Sequence, residues 1–190
     1  CWESQAEVVY RSASAAIGEV VPDFGDALAT LVRHHIAASG PVTRRDLAWW
    51  SGAGLRDVDT ALDSLHAELT RRMGPNGLEY LDLVGGVSDA PDPGIRLLPE
   101  YDALLLAYDP KARDRFADER VIAASWNRAN GVHAPTVLLD GRIRGCWRLE
   151  RTGRSAVVVV EAFAWERRID EGELEEPVRA IGLALDLAIE

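Results

Sequence analysis

Residues 41–84, PVTRRDLAWWSGAGLRDVDTALDSLHAELTRRMGPNGLEYLDLV, admit few folds, because their apolar spacing is helical twice and then extended, with glycines at the breaks. Thr43 is placed to cap a helix whose third residue, Asp46, completes an acidic variant of the capping box, and Leu47 and Trp50 share that helix's inner face. Ser51-Gly52-Ala53-Gly54 stops it. Leu55, Val58, Ala61, Leu62 and Leu65 then recur at helical spacing, with Arg56, Asp57, Asp59, Thr60 and Asp63 on the other side. Two short helices around a glycine turn form the helix-turn-helix pattern. Beyond them, residues 68–73 and 78–84 read as a hairpin closed by Gly74-Pro75-Asn76-Gly77, in which Asn-Gly favours a tight turn.

Upstream, Leu28, Leu31, Val32, His35 and Ile36 fall on one stripe, with Asp26 available as a cap and Gly40-Pro41 as a terminator, which predicts a helix over residues 26–39. Three helices and a hairpin predict a winged helix over residues 26–94. Residues 1–25 read as an N-terminal connector, open to being the remnant of an upstream domain, with a short strand at residues 7–10. The chain starts at Cys1 and its one methionine is Met73, which suggests a piece of a longer protein.

Gly85 to Gly94, with Pro91 and Pro93, is read as a linker. After it comes an apolar segment broken at Pro99 and ended at Asp109-Pro110, then a helix over residues 113–126. Residues 135–139, 142–148 and 155–164, separated by Asp140-Gly141 and Thr152-Gly153, predict three antiparallel strands. Leu174, Val178, Ile181, Leu185 and Ile189 then form one helical stripe over residues 173–189, with Pro177 near its first turn. The fold class is therefore α+β: a winged helix followed by a β-rich C-terminal part, residues 95–190, with a closing helix.

Charge bears directly on function. A net charge of −10 opposes nucleic-acid binding, which draws its affinity from Lys and Arg neutralising phosphates. The charge is segregated, however: residues 111–154 hold ten basic groups against five acidic ones, +5, so the remainder carries −15. The candidate nucleic-acid contacts are Arg44 and Arg45 at the first turn of a helix, Arg71 and Arg72 alternating across a hairpin strand, and Arg142, Arg144 and Arg148. Arg142 and Arg144 lie two apart on a strand and so are expected on one face. For all seven the ordinary alternative is a solvated surface paired with acids. Helix 56–66 would be the recognition helix, but Asp57, Asp59 and Asp63 outweigh Arg56 there. Trp49, Trp50 and Trp147 could stack on bases, although core packing is the commoner role, above all for Trp50.

His34, His35, His66 and His133 lack ligand spacing, and no Gly-rich phosphate loop, HExxH or GxSxG motif occurs, so no metal, cofactor or catalytic residue is assigned. Glu100, Asp102 and Asp109 suit loop capping. No apolar run approaches the roughly 18 residues of a membrane span, and no signal sequence opens the chain. With two cysteines outside any disulfide framework, a cytoplasmic setting and no membrane partner are expected.

Two stretches, HHIAASGPVTRRDLAWWSG from His34 to Gly52 and NGVHAPTVLLDGRIRGCWRLER from Asn130 to Arg151, resemble the bacterial winged-helix DNA-binding-domain family related to crosslink-repair DNA glycosylases. The resemblance covers roughly residues 26–190, the later two-thirds of a typical member. It implies tandem winged helices followed by a β-rich C-terminal part, with duplex DNA as partner. Catalytic members of that family carry two polar residues, usually glutamines, separated by one apolar residue near the N-terminus. Here the sole glutamine is Gln5, in Ser4-Gln5-Ala6-Glu7, so the resemblance brings no catalytic residue with it. The first expectation is a DNA-binding winged-helix protein without its own catalytic motif. Its alternatives are the DNA-gripping portion of a base-excision DNA glycosylase whose catalytic residues lie upstream, and a winged-helix module for a protein partner.

Overall fold

The computed structural model describes residues 12–18, 22–86, 94–127, 132–153, 155–165 and 168–189. The strand expected at residues 7–10, Gln5, and most of the linker after Gly86 lie outside the described residues. Within the stretch read as a connector, α1 (Ala13–Ile17) is a single capped turn, closed by Gly18 in the left-handed conformation.

Asp23, not Asp26, opens the long helix α2 (Phe24–Ser39). Its carboxylate accepts the Asp26 amide, which puts Asp26 inside the first turn. The next two helices follow the sequence expectation. In α3 (Arg44–Ser51) the Thr43–Asp46 capping box is formed, and Gly52 terminates it at φ 71°. Helix α4 (Leu55–Ser64) buries Val58, Ala61 and Leu62. A hairpin of β1 (Leu69–Met73) and β2 (Glu79–Leu83) follows, tied back to the helices by paired Val42–Leu81 backbone hydrogen bonds of 2.9 and 2.7 Å. Leu28, Val32, Ile36, Leu47, Val58, Leu62 and Leu81 fill the core between them, and the same cluster takes in Ala107, Tyr108 and Ala112 from the second half of the chain.

That second half departs further from expectation. The helix predicted over residues 113–126 is two elements, a 3-10 turn at Pro110–Arg115 and α6 (Glu119–Ser125), after a short α5 (Ala103–Leu106). The break has two causes. Asp118 caps a fresh helix by accepting the Val121 amide at 2.9 Å, and the Phe116 carbonyl is taken by the Ile143 amide at 2.8 Å. The sheet is also larger than three strands. It runs β3 (Ile95–Leu98), β6 (Thr136–Leu139), β7 (Arg142–Thr152), β8 (Ser155–Ala162), β9 (Ala188–Ile189), antiparallel except for the last pair. A separate small ladder joins β4 (Trp126–Asn127) to β5 (Val132–His133).

One sheet face packs Leu138 and Ile143 against Val121 and Leu105; the other packs Val137, Leu139 and Trp147 against Ile169 and Leu174. The closing helix α7 (Glu171–Leu185) stops short of the predicted Ile189 because Asp186 turns left-handed at φ 51°. The chain then folds back over Gly182, where a Cβ would sit 3.1 Å from the Leu187 carbonyl oxygen, and its last residues add β9 to the sheet. The helix also starts two residues early, at Glu171, so Pro177 lies in its interior rather than near its first turn.

Candidate nucleic-acid interface

The α3 cap does more than start a helix. Asp46 is fully buried, and its carboxylate accepts from the Thr43 amide (2.8 Å), the Thr43 hydroxyl (2.9 Å), the Asp109 amide (2.8 Å) and Arg115 Nη2 (3.4 Å). Arg115 also donates to the Pro41 carbonyl at 3.0 Å and lies 4.0 Å from the Tyr108 ring centroid. A local capping motif thereby becomes a lock between the helices and residues 109–116. The spacing in PVTRRD announces the cap; burial and the partners 63 and 69 residues away are tertiary facts that no spacing encodes.

The hairpin presents two faces. Arg71 stands opposite the buried Leu81, whereas Arg72 stands opposite Tyr80 and Thr70 opposite Asp82, on the other face. Arg72 and Tyr80, with Arg115 and Asp114 across from them, line a cleft of about 730 Å³. Asn76 at the turn donates to the Tyr80 hydroxyl at 2.9 Å, and Met73 at the hairpin tip is 68% exposed.

The seven candidate arginines are not gathered on one surface. Arg44 is paired with Asp59 (2.8 Å), Arg71 with Glu79 (2.9 Å), and Arg148 with both Glu150 and Glu161. Arg45 and Arg72 are exposed, and neither has an ion-pair partner among the described residues. Arg142 donates to the Asp114 carbonyl at 3.4 Å, and Arg144 is half-buried with its Nε out of solvent. A β-bulge interrupts the strict alternation on which the expectation that Arg142 and Arg144 share a face rests. Leu138 pairs with Ile143 while the next residue, Val137, pairs with Gly145, so Arg144 is an extra residue that breaks the alternation. Arg142 therefore shares the face of Leu139, and Arg148 falls on the opposite one. The basic stretch 111–154 is likewise partly internal wiring, since Arg113 is 3% exposed and Arg115 is held by Asp46.

The tryptophans divide. Trp147 is the core residue it was expected to be, donating from Nε1 to the Leu98 carbonyl at 2.8 Å. Trp50 is not: it is 40% exposed, stacked on His35 at 4.1 Å, and Trp49 beside it is 52% exposed. Trp50 lies within α3 but packs against α2 through the His35 ring instead of entering the core.

His35 donates from Nε2 to the Ala107 carbonyl at 3.1 Å. Burial lowers its pKa below the usual 6.5, against smaller upward pulls from that carbonyl and Asp46. His133, stacked on Trp126, is lowered too, by burial first and then by the charge of Arg113. Both rings resist protonation when folded, so the unfolded chain binds more protons just below the unfolded pKa. Their contribution is complete above pH 6.5 and is lost as pH falls through that value toward the folded pKa. Tm measured from neutral pH down to about 5.5 is expected to decline, and to decline less in His35→Gln/His133→Gln. An unchanged slope in that double variant would remove these rings from the explanation.

Comparison with known proteins bears on this arrangement. The family model for "DNA glycosylase AlkZ-like" matches residues 1–183, further toward the N-terminus than the resemblance read from the sequence. The solved structure of Streptomyces sahachiroi DNA glycosylase AlkZ shares the fold, with a TM-score of 0.76 at 22% identity over 93% of this chain and 49% of that one. A tRNA dimethylallyltransferase of Rhizobium leguminosarum bv. trifolii is 32% identical over 135 residues, 69% of this chain and 44% of that protein. The chain thus spans about half the length of the relatives it matches. The model match runs over nearly the whole chain and agrees with the shared fold: this chain belongs to the AlkZ-like DNA glycosylase family.

Proposed function

We propose that this chain grips duplex DNA as a non-catalytic portion of a base-excision DNA glycosylase. Family membership carries the reading. In it, residues 26–94 act as a winged helix, residues 95–190 form the β-rich second part, and the setting is the cytoplasm. The hairpin, rather than α4, meets the DNA. The exposed side of α4 sets Asp57 and Asp63 against Arg56, and Asp59 already holds Arg44, whereas Arg72 on the hairpin and Arg45 on α3 have charges to spare. Arg44, Arg71 and Arg148 join only by leaving their carboxylates, which solvent-screened surface ion pairs allow at small cost. Arg142 and Arg144 would contribute from the sheet.

Anisotropy of a labelled duplex at several salt concentrations tests this. Affinity should fall as salt rises, with a slope of about −0.9 per phosphate neutralised, and Arg45→Ala/Arg72→Ala should flatten that slope by about two contacts at every sequence tried. Absence of salt-dependent binding even at low ionic strength would sink the proposal. The second reading, a basic protein partner on the acidic face of α4, would then stand in its place.

A further inference from the structure

The cleft beside the hairpin carries chemistry that gripping a DNA backbone does not use. At about 730 Å³ it lies within the range of roughly 300–1,000 Å³ typical of small-molecule sites. One wall is the cross-strand pair of Arg72 and Tyr80, directly opposite each other on one face of the hairpin. The Tyr80 ring is fixed before any ligand arrives. Its hydroxyl accepts from Asn76 Nδ2 at 2.9 Å, and the turn closes against the ring where only a glycine fits, since a Cβ on Gly74 would lie 2.5 Å from Tyr80 Cε2. The Arg115 guanidinium, itself held by Asp46 and the Pro41 carbonyl, stands 5.6 Å from the ring centroid. Met73, 68% exposed, adds a thioether to the lining. Two charges in the lining have no ion-pair partner among the described residues. One is the Arg72 guanidinium; the other is the carboxylate of Asp114 on the opposite wall, whose backbone carbonyl alone is engaged, by Arg142. Asp82, the remaining acid of the lining, is turned onto the Leu83 amide at 2.8 Å.

We propose that this cleft binds a guanine nucleotide, with the base against Tyr80 and Met73, the phosphate on Arg72 and the Watson–Crick edge on Asp114. The assignment follows from what each group can do. A fixed aromatic ring and a thioether select a flat apolar face. A guanidinium takes a phosphate through paired N–H donors. A carboxylate only accepts, so it selects an edge made of donors. Guanine presents two adjacent ones, N1–H and the 2-amino group, whereas adenine and cytosine set a ring acceptor beside a single amino group, and a carboxylate repels that acceptor. The nucleotide is either an unpaired residue of a nucleic-acid strand, in which case the site rests on the DNA-binding function proposed above, or a free mononucleotide.

The probe is guanosine 5′-monophosphate added to the intact chain and followed in 1H–15N spectra. It should move the amide signals of Gly74, Gly85 and Gly86 and the Asn76 side-chain NH2 together, since all four line the cleft. It should also bind about tenfold more tightly than inosine 5′-monophosphate, which lacks the 2-amino donor, because a hydrogen bond to a charged group is worth about that factor or more. Asp114→Asn should abolish this preference. Arg72→Ala should weaken the nucleotide about tenfold while leaving guanosine, which has no phosphate, unchanged. Both positions are exposed, so neither change threatens the fold. A single-stranded oligonucleotide with one guanine that binds at least about tenfold more tightly than the mononucleotide, and is displaced by it, identifies a strand as the source; weaker binding than that identifies the free nucleotide. The site is overturned if the mononucleotide leaves those signals unmoved, if inosine monophosphate binds the parent equally well, or if Arg72→Ala binds the nucleotide as the parent does. The first two observations involve neither duplex DNA nor a variant, so failure here is distinguishable from failure of the DNA-binding reading.

Discussion

Asp46→Ala is expected to lower stability by about 3–5 kcal/mol in denaturant unfolding, enough to consume much of the stability of an ordinary domain. The reason is the number of donors left behind rather than the loss of one ion pair. The Thr43 and Asp109 amides are backbone groups that cannot withdraw, and each buried donor without an acceptor costs about 1–3 kcal/mol. Asp46→Asn should be little better: one amide oxygen could still serve Asp109, but the NH2 would face the Thr43 amide and Arg115 donor to donor. Thr43→Ala removes only the cap hydroxyl and should cost about 0.5–2 kcal/mol. An Asp46→Asn protein within about 1 kcal/mol of the parent would mean that the lock carries no weight.

The same residue marks where the sequence could be read and where it could not. Helices α2 to α4, the Gly52 break and the hairpin are visible because local rules agree there: apolar spacing, caps and turn residues all point to one answer. Asp46 as a cap belongs to that class, but Asp46 as a buried hub does not, since Asp109 and Arg115 are distant in sequence. Strand β7 fails differently. Its residues are correctly extended, yet one inserted residue at Arg144 reverses which side later side chains take, and the one local signal, Gly145 inside the strand pattern, marks a bulge without saying which residue is inserted. The closing helix was overextended because Ile189 keeps the helical stripe while the turn at Asp186 sends it into the sheet. Among the arginines, charge was legible and burial was not. Arg113 and Arg115 look like surface residues in a basic stretch, and the fold turns both inward.

Leu81→Ala separates fold from contact at the hairpin. Leu81 is 1% exposed, lies on the core side of β2 opposite Arg71, and packs with Val42 and Leu47 while its backbone bridges to Val42. Truncation should cost about 2–5 kcal/mol, transfer and cavity terms together. It removes no charge, so a hairpin that grips DNA as a positioned body predicts weaker duplex binding with an unchanged salt slope, because the same phosphates are neutralised by a less well-held element. Arg72→Ala, from the opposite face of the same hairpin, predicts the converse: unfolding nearly unchanged, as for most surface substitutions, and a slope flatter by about one contact. Measuring stability and salt dependence on both variants distinguishes the two roles. If Leu81→Ala loses stability but binds duplex as tightly as the parent under conditions where it stays folded, the hairpin is not the gripping element, and the contact must be sought on the sheet.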